Sequence, residues 1–388
     1  MPAAVVSGAL ANKPLNGGEA WVRLSWVLGL RRLGFDVCFV EQLAGADCVD
    51  GDGEPAGFSA SANRAFFDRV VEDFGLAGEA GLLCDGGREA SGLGLAEIRE
   101  RAAEAALLVN ISGHLTIGEI VNGPSTRLYL DLDPGFTQAW HADAGLGFEI
   151  AEHDHYATVG LNVGKPGCAI PDCGIDWIPT LPPVLLDQWT APLVPPGPPR
   201  FTTVASWRSP YGQLDIDGRT MGLKHHQFRR LIELPERVGG AEFELALEIR
   251  PGDDADREAL ESHGWTILEP RAVAATPQGF RDYVSASTAE FSVAQGVYVE
   301  SASGWFSDRT AAYLASGRPA LVQETAIGAD LRPEEGMLTF SSLDEAAAGA
   351  DRIAADPFAH AAAARHFAEE KLDSDLVIAQ LLAAIGFE

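Results

Sequence analysis

The sequence predicts two parallel α/β domains facing one another across a cleft, and three observations predict it. Strand-like and helix-like patterns alternate through both halves of the chain. The 388 residues are long for one hydrophobic core and suit two domains of roughly 150–200 residues each. A proline-rich stretch at 177–200 separates the halves; it is too apolar for a disordered tether and suits a semi-rigid connector. The expected division is an N-terminal domain over 1–178, a linker over 179–200 and a C-terminal domain over 201–388.

Composition narrows the partners. Fifty-six acidic against 28 basic residues leave a formal charge of −28, which disfavours nucleic acids and anionic membranes. Lysine occurs only at 13, 165, 224 and 371, so each basic residue in a cleft carries more information than usual. No apolar run reaches the ~18–20 residues of a membrane span. The first residues, MPAAVVSGAL, lack a basic segment before an apolar core, so the expectation is a cytoplasmic protein. Five scattered cysteines fit reduced thiols rather than a zinc site or a disulfide framework.

In the N-terminal half, residues 3–9 read as a strand, 12–18 as a glycine-bearing loop, 19–33 as a helix on the apolar spacing of Trp21, Leu24, Val27 and Leu28, and 36–40 as the next strand. The G-G-E-A of this first turn is not a G-x-G-x-x-G fingerprint. Residues 45–57 read as a loop, 61–74 and 95–106 as helices, and 107–111 as a buried strand ending at His114. A histidine past the carboxyl end of a strand lies where open α/β sheets bind ligands, and it can act as a general base. Residues 127–132 form a further strand, closed by Asp133-Pro134-Gly135. Asp131-Leu132-Asp133 matches a metal-gripping D-x-D string, but the flanking Pro-Gly reads as a turn and no metal is expected. Asp133 is a candidate base. His153 and His155 precede a strand expected within 152–164.

In the C-terminal half, residues 201–207 read as a strand, 208–220 as a loop, 224–234 as a helix, 242–249 as a strand, 253–263 as a helix, 265–268 as a strand and 276–286 as a helix. Residues 291–322 then read as strand, loop, helix, glycine cap and strand, with Ala-rich 308–315 as the helix. Its N-terminus is preceded by small hydroxyl-bearing residues and offers free amides to a diphosphate. A strand at 338–340 and helices over 342–387 follow, the last at 372–385.

The segment 291–322 resembles the donor-binding βαβ unit of GT-B glycosyltransferases, in which a loop–helix of the form x-G-x-x-x-x-x-x-A-x-A-x-G-x-P-V holds the diphosphate of a nucleotide sugar. The strings D-x-D-P-x-F-T-Q, H-D-H-Y-x-T-x-G-x-N and W-x-P-T-x-P-P extend the resemblance over most of the chain, to bacterial GT-B proteins known simply as glycosyltransferases. The resemblance implies two Rossmann-like domains and a metal-independent transfer of a hexose or deoxyhexose from a nucleotide diphosphate to a small acceptor, with no resident cofactor. It implies a donor site of Arg208, Lys224, Ser303, Gly304, Trp305, Ser307, Asp308 and Arg309, the two first-named cations neutralising the leaving diphosphate. Trp305 would stack on the base or sugar. The acceptor would face Gly17, Gly18, Glu19, His114, Asp133 and His155, any of the last four serving as base.

One departure stands out. Retaining GT-B families carry two glutamates eight residues apart, and the corresponding positions here are Ala312 and Gly304. Two rival readings remain: a GT-B-like nucleotide-sugar epimerase, which needs acids on both sides of the sugar, and a non-catalytic two-lobed binding protein. Monomer and homodimer are both compatible with the sequence.

Overall fold

The computed structural model describes residues 1–142, 150, 153–209, 211–332 and 335–387. Glu152, at the start of the stretch expected to hold a strand, and Pro210, in the loop expected over 208–220, lie outside the described residues.

The N-terminal lobe is built on β1 (Ala3–Ser7), β2 (Asp36–Leu43), β3 (Ala80–Cys84), β4 (Glu89–Gly92), β5 (Leu107–Ile111), β6 (Thr126–Asp131), β7 (His155–Thr158) and β8 (Trp177–Pro179). They lie in the order β4-β3-β2-β1-β5-β6-β7-β8, parallel except for β4. Runs such as LLVNI are buried along their whole length, as a sheet covered by helices on both faces requires. Helix Gly17–Arg32 returns from β1 to β2. Its start is capped by Asn16, whose side chain accepts the Glu19 N–H at 3.2 Å, and Gly34 at φ +90° turns the chain out of it.

The C-terminal lobe carries β9 (Arg200–Ser206), a short antiparallel ribbon of β10 (Leu214–Ile216) and β11 (Arg219–Met221), then β12 (Glu242–Glu248), β13 (Thr266–Leu268), β14 (Ala289–Ser292), β15 (Ala320–Gln323) and β16 (Met337–Phe340). Its six-stranded sheet runs β13-β12-β9-β14-β15-β16, all parallel. Residues 208–220, expected as loop, hold the β10–β11 ribbon, and the helix expected over 224–234 stops at Arg229. The antiparallel β4, with only Ser91 buried, lacks the apolar run by which a strand is recognised.

The two lobes share one hydrophobic core. Trp21 of the first helix meets Trp189 of the linker at 5.0 Å between rings, and its indole N–H donates to Pro277 O at 2.8 Å. The last helix, Ser374–Ala384, packs on the N-terminal lobe: a Cβ on Gly29 would lie 2.4 Å from Ile378 Cδ1, and Arg32 pairs with Asp375. No helix among the described residues is long and apolar enough to cross a membrane.

Candidate active site

Strand order decides which loops meet. In the N-terminal sheet the order reverses between β1 and β5, and in the C-terminal sheet between β9 and β14. Crevices at the carboxyl ends of strands open at such reversals. The loops after β1, β5 and β6 carry Lys13, Glu19, His114 and Asp133; those after β9, β14 and β15 carry Lys224, Ser303–Arg309 and Thr325.

The first loop is held by a residue that the sequence reading passed over. Glu41 is buried in β2 and accepts the N–H groups of Leu10, Ala11 and Asn12 at 2.9, 2.6 and 2.8 Å. Burial pushes its carboxyl up to about 7 against the pull of those amides. The signal was an isolated acid inside the apolar FVEQL, just beyond where the predicted strand stopped. Asn110 does the same for the His114 loop: its Oδ1 accepts Leu115 N–H at 3.2 Å and its amide donates to Leu115 O at 3.1 Å.

Glu19 lies between Lys13, at 3.0 Å, and Arg23, one helical turn on. Burial pushes it up, but the two cations outweigh burial and hold it at about 2. It is therefore a poor proton acceptor. Burial, followed by the charges of Arg23 and Lys13, brings His114 down to about 4, so it is neutral at physiological pH. Burial raises Asp133, with Lys13 opposing and Glu19 adding; Tyr298 from the other lobe donates to it at 3.1 Å. A carboxylate whose proton affinity is raised at a strand end fits a general base.

Asp131, the first acid of D-x-D, is fully buried and accepts from Thr137 Oγ1 at 2.6 Å, Thr158 Oγ1 at 2.7 Å, Gln138 Nε2 at 3.0 Å and Asp133 N at 3.0 Å. It orders the turn that presents Asp133. His155 is a correction. It pairs in register with Leu128 near the start of β6, at the amino ends of the strands and away from the cleft, because the parallel register puts only the far end of β7 beside Asp131. His153 is buried with its Nε2 3.2 Å from Asn110 Nδ2. Gly17 is set by packing, since a Cβ on it would lie 2.0 Å from Thr276 O; Gly18 lines an aromatic pocket, and a Cβ on it would lie 3.2 Å from the Phe280 ring.

On the C-terminal side the predicted cations divide. Arg208 makes a two-pronged bond to Asp253, both contacts at 2.6 Å, at the end of β9. Arg309 is turned beneath its own helix, donating to Glu290 Oε1 at 2.7 Å, Ser292 Oγ at 2.7 Å and Val204 O at 3.0 Å. Both are engaged in structure. Lys224 is not: its ammonium makes no hydrogen bond or ion pair among the described residues, while its backbone N–H is fixed by Gln295 Oε1 at 2.9 Å. Burial, then Arg309, lowers it to about 8 against the attraction of Asp133, Asp308 and Glu19.

The loop before helix Asp308–Ala315 is clamped to the N-terminal lobe. Asn162 donates to Ala302 O at 3.0 Å and Ala326 O at 2.8 Å, and both alanines adopt left-handed φ, +53° and +67°. Ser303 Oγ donates to Tyr298 O and accepts Trp305 N–H, both at 3.1 Å, and Gly304 at φ +68° leaves no room for a Cβ beside Asn162. Trp305 stacks on Tyr298 at 4.6 Å. Ser307 is buried at the helix start, where its side chain makes no capping bond. Asp308 opens onto the cleft, where burial and Glu19 push it up to about 6 against Arg309.

A pocket is lined by the aromatic residues Trp21, Trp26, Trp189, Phe280 and Phe306, together with Gly18, Leu132, Asp308 and Arg309 among others.

No protein-family model and no curated protein matches the sequence. Among solved structures, the chain is similar to Anabaena HepE in complex with UDP-glucose, with 12% identity, a TM-score of 0.58, and coverage of 98% of this chain and 99% of that one. It is similar to AviGT4, a glycosyltransferase involved in avilamycin A biosynthesis, with 13% identity, a TM-score of 0.54, and coverage of 99% and 97%. Sucrose-phosphate synthase from Thermosynechococcus elongatus gives 13% identity, a TM-score of 0.50, and coverage of 99% of both chains. The two parallel-strand sheets and their loops over a common cleft are thus those of the GT-B fold.

Proposed function

We propose that the chain is a glycosyltransferase that moves a hexose or deoxyhexose from a nucleotide diphosphate to a hydroxyl of a small-molecule acceptor, without a metal ion. Lys224 carries the reading: an ammonium with no hydrogen bond or ion pair among the described residues, lowered to about 8 by burial, standing opposite acids of the other lobe. A buried cation of this kind gains most when a dianion arrives beside it. As the bond from the anomeric carbon to the diphosphate breaks, charge grows on the leaving oxygen and Lys224 stabilises it. The acceptor oxygen forms the new bond, and its proton passes to Asp133. Support for a nucleotide-sugar donor comes from the shared fold with HepE, which was solved with UDP-glucose. The full engagement of Asp131 by hydroxyls and amides supports a reaction without metal.

The test is a thermal-shift panel of nucleoside diphosphates and nucleotide sugars. A ligand at a hundredfold excess over its Kd adds ~2.7 kcal/mol of stability. One base should raise the melting temperature, Lys224→Ala should abolish that rise, and transfer by the variant should fall by about 10²–10³. No shift with any nucleotide would sink the reading.

A further inference from the structure

The loop that precedes helix Asp308–Ala315 takes its shape from the opposite lobe. After β7 the N-terminal lobe runs alongside it, and the two backbones pair. Phe306 N–H donates to Val159 O and Leu161 N–H to Gly304 O, both at 3.4 Å; Asn162 N–H donates to Ser303 O at 3.0 Å and Ala169 N–H to Ser301 O at 2.9 Å. The same strip packs on the turn of the candidate base Asp133, where a Cβ on Gly160 would lie 2.6 Å from Pro134 Cβ. The donor loop and the turn of Asp133 are therefore held by one piece of chain.

Backbone pairing alone does not set the two bends of this region. Ala302 and Ala326 are left-handed, at φ +53° and +67°, which is unfavourable for any residue with a Cβ. One side chain holds both. Asn162 Nδ2 donates to Ala302 O at 3.0 Å and to Ala326 O at 2.8 Å, although the first lies before helix Asp308–Ala315 and the second after β15. An amide nitrogen carries two hydrogens, and both are used. Gly304, at φ +68°, makes the room: a Cβ there would lie 2.9 Å from both Cγ and Nδ2 of Asn162. The helix that follows starts without a side-chain cap, so the course of this loop fixes where its first amides stand. We propose that Asn162, a residue of the acceptor lobe, is a positioning residue for the donor: it fixes the two left-handed bends and thereby the loop and helix start that meet the diphosphate. The assignment rests on the sugar-transfer reading above and makes the donor site a joint product of both lobes.

The experiment is isothermal titration calorimetry of the full chain with UDP, ADP, GDP, CDP and dTDP, each protein held well below its own melting temperature. The variants are Asn162→Ala and Asn162→Leu, each alone and each combined with Ala302→Gly and Ala326→Gly. For the nucleotide that binds the wild type, Kd should rise about tenfold or more in both single variants. The added glycines should recover most of that loss, because glycine adopts a left-handed bend without support. Circular dichroism identifies a variant that fails to fold, and the other series then decides. A lower melting temperature with an unchanged Kd marks Asn162 as a structural contact only; it overturns the proposal and leaves sugar transfer standing. Weakened binding that the glycines do not recover overturns it as well, since Asn162 then acts other than through the bends. Absence of binding by the wild type with any of the five sinks the sugar-transfer reading and this assignment with it.

Discussion

Two helices, one from each lobe, open onto the cleft with an acid in the first turn: Glu19 in Gly17–Arg32 and Asp308 in Asp308–Ala315. Both sit at the positive end of a helix dipole, which favours a carboxylate. Yet Glu19 is held at about 2 and Asp308 is pushed up to about 6. The difference lies in the charges each acid faces: Lys13 and then Arg23 hold Glu19 down, while burial and Glu19 push Asp308 up against Arg309. Arg23 follows Glu19 by one turn and lies on the same helical face, so it pairs with it. Arg309 is the next residue after Asp308, points elsewhere, and is taken by Glu290. The dipole is common to both; the directed ion pair decides. One acid becomes a fixed anchor and the other a group that titrates near neutrality.

The strongest way to break this contrast is Glu290→Gln. Glu290 is fully buried against Arg309, and removing one charge of such a pair costs ~3–5 kcal/mol. Urea denaturation should show that loss; an unchanged midpoint would mean that Arg309 has re-paired with Asp308. Glu19→Gln comes next. Its folded pKa of about 2 lies below the ordinary 4.5, so its stabilisation is complete above pH 4.5 and is lost as pH falls towards 2. The variant should be less stable by ~1–3 kcal/mol at pH 7, and the gap to the wild type should close through that window.

Lys13→Ala removes the more exposed of the two cations on Glu19 and should cost under ~1 kcal/mol. The sharper readout is the Glu19 carboxyl resonance, whose titration should move upward. Asp308→Asn is expected to have the smallest effect, and its sign is opposite to that of Glu19. A folded value of about 6 above the ordinary 3.8 means that this group favours the folded state more as pH falls from 6 to 3.8. Melting temperature against pH should lose that contribution in the variant. A profile identical to the wild type would place the titration near pH 6 on another group.

The predicted site was legible where it depended on strand ends and unclear where it depended on pairing. His114 and Asp133 follow strands whose apolar runs are visible in the sequence, and Lys224, one of four lysines, stands at the start of a helix, so their place at the cleft could be read. Arg208 and Arg309 also lie there in sequence, but partners 45 and 19 residues away take up their guanidiniums. His155 failed for another reason. It opens its strand, and because β7 runs parallel to β6 that amino end points away from the cleft, which only the sheet's pairing shows. Glu41 and Asn110 were missed because a buried polar residue inside an apolar run looks like an interruption until its backbone partners are known.

By itself the sequence determined the alternation of strands and helices, the glycine cap at Gly317, the proline-rich linker and the loops that bound the cleft, because these rest on interactions within a few residues. Only the tertiary structure decided which of the predicted cleft cations is left without a partner among the described residues, which acid can titrate and where the aromatic pocket lies. Those outcomes depend on groups brought together by packing two sheets on one shared core, where burial raises the cost of an unpaired charge and a partner from another strand removes it.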